Sequence, residues 1–274
     1  MKRISALTAG MIVAAVAAAS GATATAAGTL PTLAVNISGK SITVPGSVAS
    51  GAVNVSVTVS GEPLASPTLV RLEPGVTFPQ AFAAVGAHGG DPNALDGLAT
   101  IVANPEVAKG TSTFQTQLTP GNYVALDSES DNPNKWPHTN FTVTPSSNPA
   151  TLARPQATIK AEEFRFAGPG VLHNGELVRF ENAGYLYHMV FAIPASNKKN
   201  AQKLSAYLLA GKDNKAQKLA SGQPLSWMGT VGPGALQQQV IKAKKGYYVM
   251  ACFMGTQDGR EHSRLGMERI IQVK

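Results

Sequence analysis

Apolar residues along this chain fall in short alternating or continuous runs, most of them bounded by Gly, Pro, Asn or Asp. In the first half the runs are Ala34–Ile37, Val53–Val59, Leu69–Leu72, Thr113–Leu118, Tyr123–Leu126 and Asn140–Val143. In the second half they are Ala157–Ile159, Leu177–Glu181, His188–Ile193, Gln237–Lys242, Tyr247–Cys252 and Glu268–Val273. Runs of this length, rich in Val, Ile, Thr, Tyr and Phe and punctuated by turn residues, predict strands. Two stretches depart from the pattern. Lys198–Leu219, with Leu204, Leu208 and Leu219 set among lysines, predicts amphipathic helical turns, and Pro79–Ala103 predicts a second helical insertion.

The order of these runs repeats. Gly51-Ala-Val-Asn-Val-Ser-Val-Thr-Val is echoed by Gly175-Glu-Leu-Val-Arg-Phe, and Pro120-Gly-Asn-Tyr-Val-Ala-Leu by Lys245-Gly-Tyr-Tyr-Val-Met-Ala. The interval from Gly51 to Gly121 nearly equals that from Gly175 to Gly246, so spacing repeats as well as pattern. The stretch Thr144–Pro155, rich in Pro, Ser and Asn, separates the two copies. The expected architecture is all-β: two tandem Greek-key β-sandwiches of about 110–120 residues, each with a short helical insertion. The units expected are 28–144 and 156–274, joined by a linker over 145–155.

Composition narrows the field. Hydrophobic residues make up 43% of the 274, enough for packed cores, and a single Cys excludes an internal disulfide. The 23 basic and 16 acidic residues leave a formal charge of +7, a surplus too small, without clustered Lys/Arg and aromatic runs, to argue for nucleic acid. Lys2 and Arg3 precede an apolar stretch from Ala6 to about Ala19 and then small residues to Gly28. That order predicts a secretory signal over 1–27, cut after Ala24 or Ala27, and a secreted or extracytoplasmic protein. The alternative, an N-terminal anchor, needs a longer apolar span than this Ala-rich segment offers.

The chemistry converges near the C-terminus. Cys252 ends the strand-like run from Gly246; His262 follows ten residues later and Met267 five after that, before the run Glu268–Val273. His188 opens an earlier run, after the turn residues Asn182-Ala-Gly-Tyr-Leu-Tyr. A thiolate, two imidazoles and a weak axial thioether form the donor set of a blue-copper site. The soft thiolate favours copper, the imidazoles accept both oxidation states, and a distant Met does not impose the square-planar geometry that Cu(II) prefers.

At these residues the chain resembles the cupredoxin family. The tail His262-Ser-Arg-Leu-Gly-Met267 is similar to the His-x3-Gly-Met ending of copper nitrite reductase, whose Cys-to-His loop is also long. Phe166-Ala-Gly-Pro, Gly175-Glu-Leu-Val-Arg-Phe-Glu-Asn-Ala-Gly and His188 resemble the upstream half of bacterial secreted cupredoxin-like domains. The resemblance covers about Ala157–Lys274 well and Ala34–Val143 in outline. It implies cupredoxin-like sandwiches with one type 1 copper held by His188, Cys252, His262 and Met267, and Asn182 bracing the loops around them. It also implies outer-sphere electron transfer through an exposed edge of His262 to a redox partner protein. Arg260 and Arg264 beside that loop favour an acidic partner. Asp258, Arg260 and Glu261 stand where relatives carry Pro or apolar residues.

Other readings of the same residues stay open. A strand-end Cys is commonly a small core residue, His188 could be satisfied by a carbonyl, and Met267 could fill a gap. A Cys–His nucleophilic pair would need a third, orienting residue that the pattern does not offer. Aligning Gly121 on Gly246 sets Asp127 against Cys252, with His138 near His262 and no Met after it, so the first unit is expected to be metal-free. Multicopper oxidases need His-x-His pairs and nitrite reductase needs a second copper held by several histidines. The chain has no such pair, and His88, His138 and His173 are scattered, so a non-enzymatic protein is expected. Glu162 and Glu163 read as a solvated strand edge. The rival functions are copper storage or delivery by the same ligands, and a metal-free interaction module.

Overall fold

The computed structural model describes residues 30–39, 41–129 and 136–274, so the expected signal over 1–27 lies outside the described residues. The first nine strands are β1 (Thr32–Ser38), β2 (Ser41–Thr43), β3 (Ser47–Ala49), β4 (Gly51–Ala65), β5 (Pro67–Leu72), β6 (Ala99–Ala103), β7 (Val107–Leu118), β8 (Gly121–Asp127) and β9 (His138–Thr144). The next nine are β10 (Ala157–Glu162), β11 (Arg165–Ala167), β12 (Val171–Leu172), β13 (Leu177–Asn182), β14 (His188–Ala195), β15 (Leu225–Val231), β16 (Leu236–Val240), β17 (Gly246–Ala251) and β18 (Glu268–Val273). Helix α1 (Phe78–Ala87) lies between β5 and β6; α2 (Lys198–Leu209) and α3 (Asp213–Gln217) lie between β14 and β15.

Strand order repeats nine for nine. The first half pairs β2-β1-β4-β7 in one sheet and β3-β9-β8-β5-β6 in the other; the second pairs β11-β10-β13-β16 and β12-β18-β17-β14-β15. The parallel pairs also correspond: β1 with β4 as β10 with β13, and β3 with β9 as β12 with β18. Each half is therefore a β-sandwich of the same topology with its helical insertion at the same place. A pairing of Gln115 with Gln238 joins β7 to β16, so one sheet of each sandwich continues into an eight-stranded sheet.

Period-two patterning builds the cores. Val53, Val55, Val57 and Val59 of β4 point inward against Leu33, Val35 and Ile37 of β1, Phe114 and Tyr123. In the second sandwich Phe180, Trp227 and Tyr248 stack in series with centroids 5.8 and 5.9 Å apart. The echo between Tyr123 and Tyr248 is a structural one. Each is buried at the sheet corner, and each hydroxyl donates to the carbonyl four residues back, Thr119 at 2.9 Å and Lys244 at 2.8 Å. A phenol needs such an acceptor when its ring is buried.

The insertion expected over Pro79–Ala103 is helical only in part. Ala99–Ala103 is strand β6, because its Ala and β-branched residues pair with β5 at the sheet edge. Short edge strands such as β2, β3, β11 and β12 carry too few residues to show alternation.

The two sandwiches meet along β6 and β15 and along β7 and β16. Gly232 N–H donates to Ile101 O at 2.8 Å, and Thr116 Oγ1 donates to Leu236 O at 2.7 Å. Gly229 sits so close to Asn104 that an added Cβ would lie 1.4 Å from the Asn104 carbonyl oxygen. A methyl group there requires the backbones to part. Gly229→Ala should therefore destabilise the protein by about 2 kcal/mol or more in urea unfolding, and an unchanged midpoint would contradict this close approach.

Candidate metal centre

One end of the second sandwich brings together residues far apart in the chain. His188 is the first residue of β14, Cys252 directly follows β17, and β14 and β17 are neighbours in one sheet. His262 opens a short 3-10 turn, His262–Leu265, and Gly266 takes a left-handed φ of 102° to return the chain to β18. Met267 stands between that turn and β18. Backbone hydrogen bonds fix the loop: Cys252 N–H donates to Met267 O at 3.2 Å, Ser263 N–H to Cys252 O at 2.9 Å, and Met267 N–H to His262 O at 2.9 Å. The polar residues Thr256–Glu261 close a separate surface turn through Thr256 N–H to Arg260 O at 2.9 Å.

The donor atoms converge. His188 Nδ1 and His262 Nδ1 lie 3.2 Å apart, and Cys252 Sγ lies 3.8 Å from the first and 3.5 Å from the second. A point equidistant from all three lies roughly 2.0 Å from each by triangle geometry, close to the distances at which imidazole nitrogen and thiolate sulfur bind d-block ions. All three side chains are fully buried, as is Met267. Among the described residues this is the group of His, Cys and carboxylates that could hold a metal ion. Met267 belongs to the same packed core as Cys252.

Electrostatics define the metal-free state. Burial pushes the Cys252 thiol up to about 12, against smaller opposite contributions from the Met189 and Met254 amides. His188 is lowered to about 4, by burial first and the neighbouring His262 second, with Glu163 opposing. Burial lowers His262 as well, opposed by Glu163 and by Asp91 of the first sandwich. At neutral pH the site therefore holds two uncharged imidazoles and a protonated thiol. An ion of positive charge can displace that one proton and take all three donors.

Beside Asn182, which the sequence singles out, residues that it did not single out for this site line the surroundings. Glu163, expected to be solvated, turns inward. Its carboxylate accepts the Tyr185 and Leu186 N–H groups and lies 3.8 Å from His188 Nε2. Burial raises its pKa, but those amides and His188 outweigh that, so the carboxyl stays below its ordinary range. Phe164, beside it in the turn between β10 and β11, has φ 58° and sets its ring edge-on to His262 at 5.3 Å. Asn182 is buried and donates to Leu186 O at 2.8 Å and Val231 O at 2.9 Å, tying the 183–187 loop to the residue paired with His188. The first sandwich covers this end too: Asn93 Oδ1 accepts Tyr187 N–H at 3.1 Å, and Tyr187 Oη donates to Ala99 O at 3.2 Å.

Three expectations change. The His262 imidazole has no exposed edge; Phe164 packs against it. Arg260 and Arg264 are not free charges, since Asp258 holds the first at 2.7 Å and Asp213 and Glu261 hold the second at 2.8 and 3.4 Å. In the first sandwich, His138 does not match His262: it pairs with Leu126 as Glu268 pairs with Ala251, which sets Pro137 against Met267. Asp127 does stand at the place of Cys252. Its Oδ1 accepts Ser66 N–H at 2.8 Å, as Cys252 Sγ accepts Met189 N–H at 3.5 Å. The register sets Ala65 against His188. His88, His138 and His173 are scattered, and the Nδ1 atoms of His88 and His138 meet the Ala84 and Trp136 carbonyls.

No family model and no curated protein matches the chain. Among solved structures, auracyanin B is 16% identical with a TM-score of 0.27 over 45% of this chain and 92% of that one. An auracyanin from Roseiflexus castenholzii is 17% identical, with a TM-score of 0.26 over 43% and 94%. The copper-containing nitrite reductase of Thermus scotoductus is 10% identical, with a TM-score of 0.23 over 89% and 67%. Scores this low carry no argument about the chemistry of this chain.

Folding and acid should be linked through His188 in the metal-free protein. The unfolded chain takes up this proton near pH 6.5 and the folded protein only near pH 4, so the unfolded state binds the extra proton between them. Stability from this group is fully present above that window and is lost as pH falls through it, by on the order of 3 kcal/mol. Urea unfolding of metal-free protein across that range should show the loss, and it should shrink in His188→Gln. A decline of equal size in the variant would contradict the assignment.

Proposed function

We propose that this is an extracytoplasmic, non-enzymatic electron-transfer protein with one type 1 copper in its second sandwich. The reading is carried by the convergence of His188 Nδ1, Cys252 Sγ and His262 Nδ1 on one buried point. Residues 156–274 would form the copper unit, with Met267, buried in the same core, as the candidate fourth donor through its sulfur, and residues 28–144, with Ala65 and Asp127 at the corresponding positions, would form a metal-free unit. Export rests on reading residues 1–27, basic then apolar then small, as a secretory signal.

A copper ion at this point would supply a one-electron Cu(I)/Cu(II) couple. The chain supplies the rest. Its donors are fixed by strand pairing and by the Cys252–Met267 backbone bonds, so little rearrangement accompanies a change in charge. Ligation through Nδ1 would leave the His188 proton on Nε2, and the Glu163 carboxylate 3.8 Å away would favour that proton electrostatically without a hydrogen bond to it. Met189 N–H directed at Cys252 Sγ withdraws electron density from the thiolate. Burial excludes water. Phe164, half-buried and against His262, lies between that ligand and the surface, where a redox partner protein would dock. Closure over the site favours retention of the metal over storage and delivery.

Protein exported by its own host and stripped of metal should bind one Cu(II) per chain and develop an intense visible thiolate-to-copper band. Cys252→Ser should abolish the band and His138→Ala should leave it unchanged. A band that survives in Cys252→Ser, or never forms, would reject this reading. Phe164→Ala should admit water to His262 and favour the more highly charged Cu(II), so the reduction potential in voltammetry should fall. An unchanged or raised potential would contradict a shielding role for Phe164.

A further inference from the structure

Much of the positive charge of the second sandwich lies on one segment of its surface, densest at the end opposite the candidate metal centre. From Ser196 to Tyr247 the chain carries nine lysines, Lys198, Lys199, Lys203, Lys212, Lys215, Lys218, Lys242, Lys244 and Lys245, with one acidic residue, Asp213, and no arginine. All nine lysines are exposed. Asp213 is engaged by Arg264 at 2.8 Å, and the ion pairs of the described residues involve no lysine. The charge of this surface is therefore uncompensated.

Topology places its densest part. Strands β14 and β17 run antiparallel, with Ala195 opposite Tyr247 at one end and Phe191 opposite Ala251 toward the other. Lys242, Lys244 and Lys245 precede β17 and line a groove with Ser196 and Ser221–Gln223, next to Lys198 and Lys199 at the start of α2. These five lysines sit at the end of the sandwich opposite His188 and Cys252, roughly 20–25 Å away by strand length. The other four continue along α2 and α3 toward the loop that carries His262, where Asp213 meets Arg264. For the first five lysines that separation exceeds a Debye length of about 10 Å at 0.1 M salt, so they do not bias the metal end electrostatically.

We propose that this lysine surface docks the protein on an anionic phospholipid bilayer, leaving the opposite end of the second sandwich facing away. The composition favours a lipid surface over a specific protein partner. Protein interfaces are enriched in Arg and aromatic residues and depleted in Lys, whereas this surface has lysines without arginine, and its tyrosines Tyr207 and Tyr247 are half-buried. Flexible ammonium groups match a laterally mobile layer of phosphate headgroups, to which each contributes additively. Single-stranded nucleic acid would need exposed stacking rings that the surface lacks.

Co-sedimentation of the exported protein with vesicles tests the proposal. Binding is expected on phosphatidylcholine vesicles containing roughly a third phosphatidylglycerol, not on phosphatidylcholine alone, and it should be lost at about 0.5 M NaCl. Replacing Lys242, Lys244 and Lys245 with Gln should weaken binding about a hundredfold. Lys198→Gln with Lys199→Gln should act in the same direction, whereas Arg260→Gln should not. Equal binding to both vesicles, binding to neither, or lysine variants that bind like the parent would overturn it. The readout requires no metal, so it stands or fails separately from the copper site.

Discussion

Three polar atoms, two imidazole nitrogens and one sulfur, are held within 3.8 Å of one another where no water reaches, and the end of the second sandwich is arranged around them. Desolvation of such groups is costly unless each finds a partner. The site keeps the imidazoles uncharged and the thiol protonated by burial, and it leaves both histidine Nε2 atoms without a hydrogen-bond acceptor. An arrangement that spends burial on donors aimed at each other is poor as a stabilising core. It suits a cation that replaces one proton and satisfies all three.

Rigid surroundings follow from that constraint. Strand pairing fixes His188 and Cys252, while the Gly266 turn fixes His262 and Met267. Asn182 and Glu163 pin the 183–187 loop that leads into His188. The first sandwich adds Asn93 against Tyr187 and brings the charge of Asp91 within range of His262. The repeated half thus contributes cover where the other contributes donors. Its Asp127 preserves the acceptor that the neighbouring strand's N–H requires, which is why the corner survives without a cysteine.

Much of this was legible from residues. Period-two runs and the Gly-x-Tyr echo predict both sandwiches, and the tyrosine hydroxyls explain why that echo recurs. The order of His188, Cys252 and His262 follows strand ends and one connecting loop that bring these three side chains to the same edge, with Met267 in the same buried core. Beyond Asn182, the surroundings were not legible. Glu163 and Phe164 act through a two-residue turn with a left-handed Phe, an arrangement that neither composition nor periodicity signals. Burial of His262 comes from packing that local sequence does not encode, and Arg260 and Arg264 find partners that only the folded loops and α3 supply. The shift of His138 onto Glu268 follows from pairing register rather than from motif spacing.

X-ray absorption at the copper edge, on protein loaded with one equivalent of copper, tests the central claim most directly. The structure predicts one short copper–sulfur and two copper–nitrogen scattering paths from a single site, with little change in length between the oxidised and reduced states. A first shell of nitrogen and oxygen alone, with no sulfur path, would contradict it.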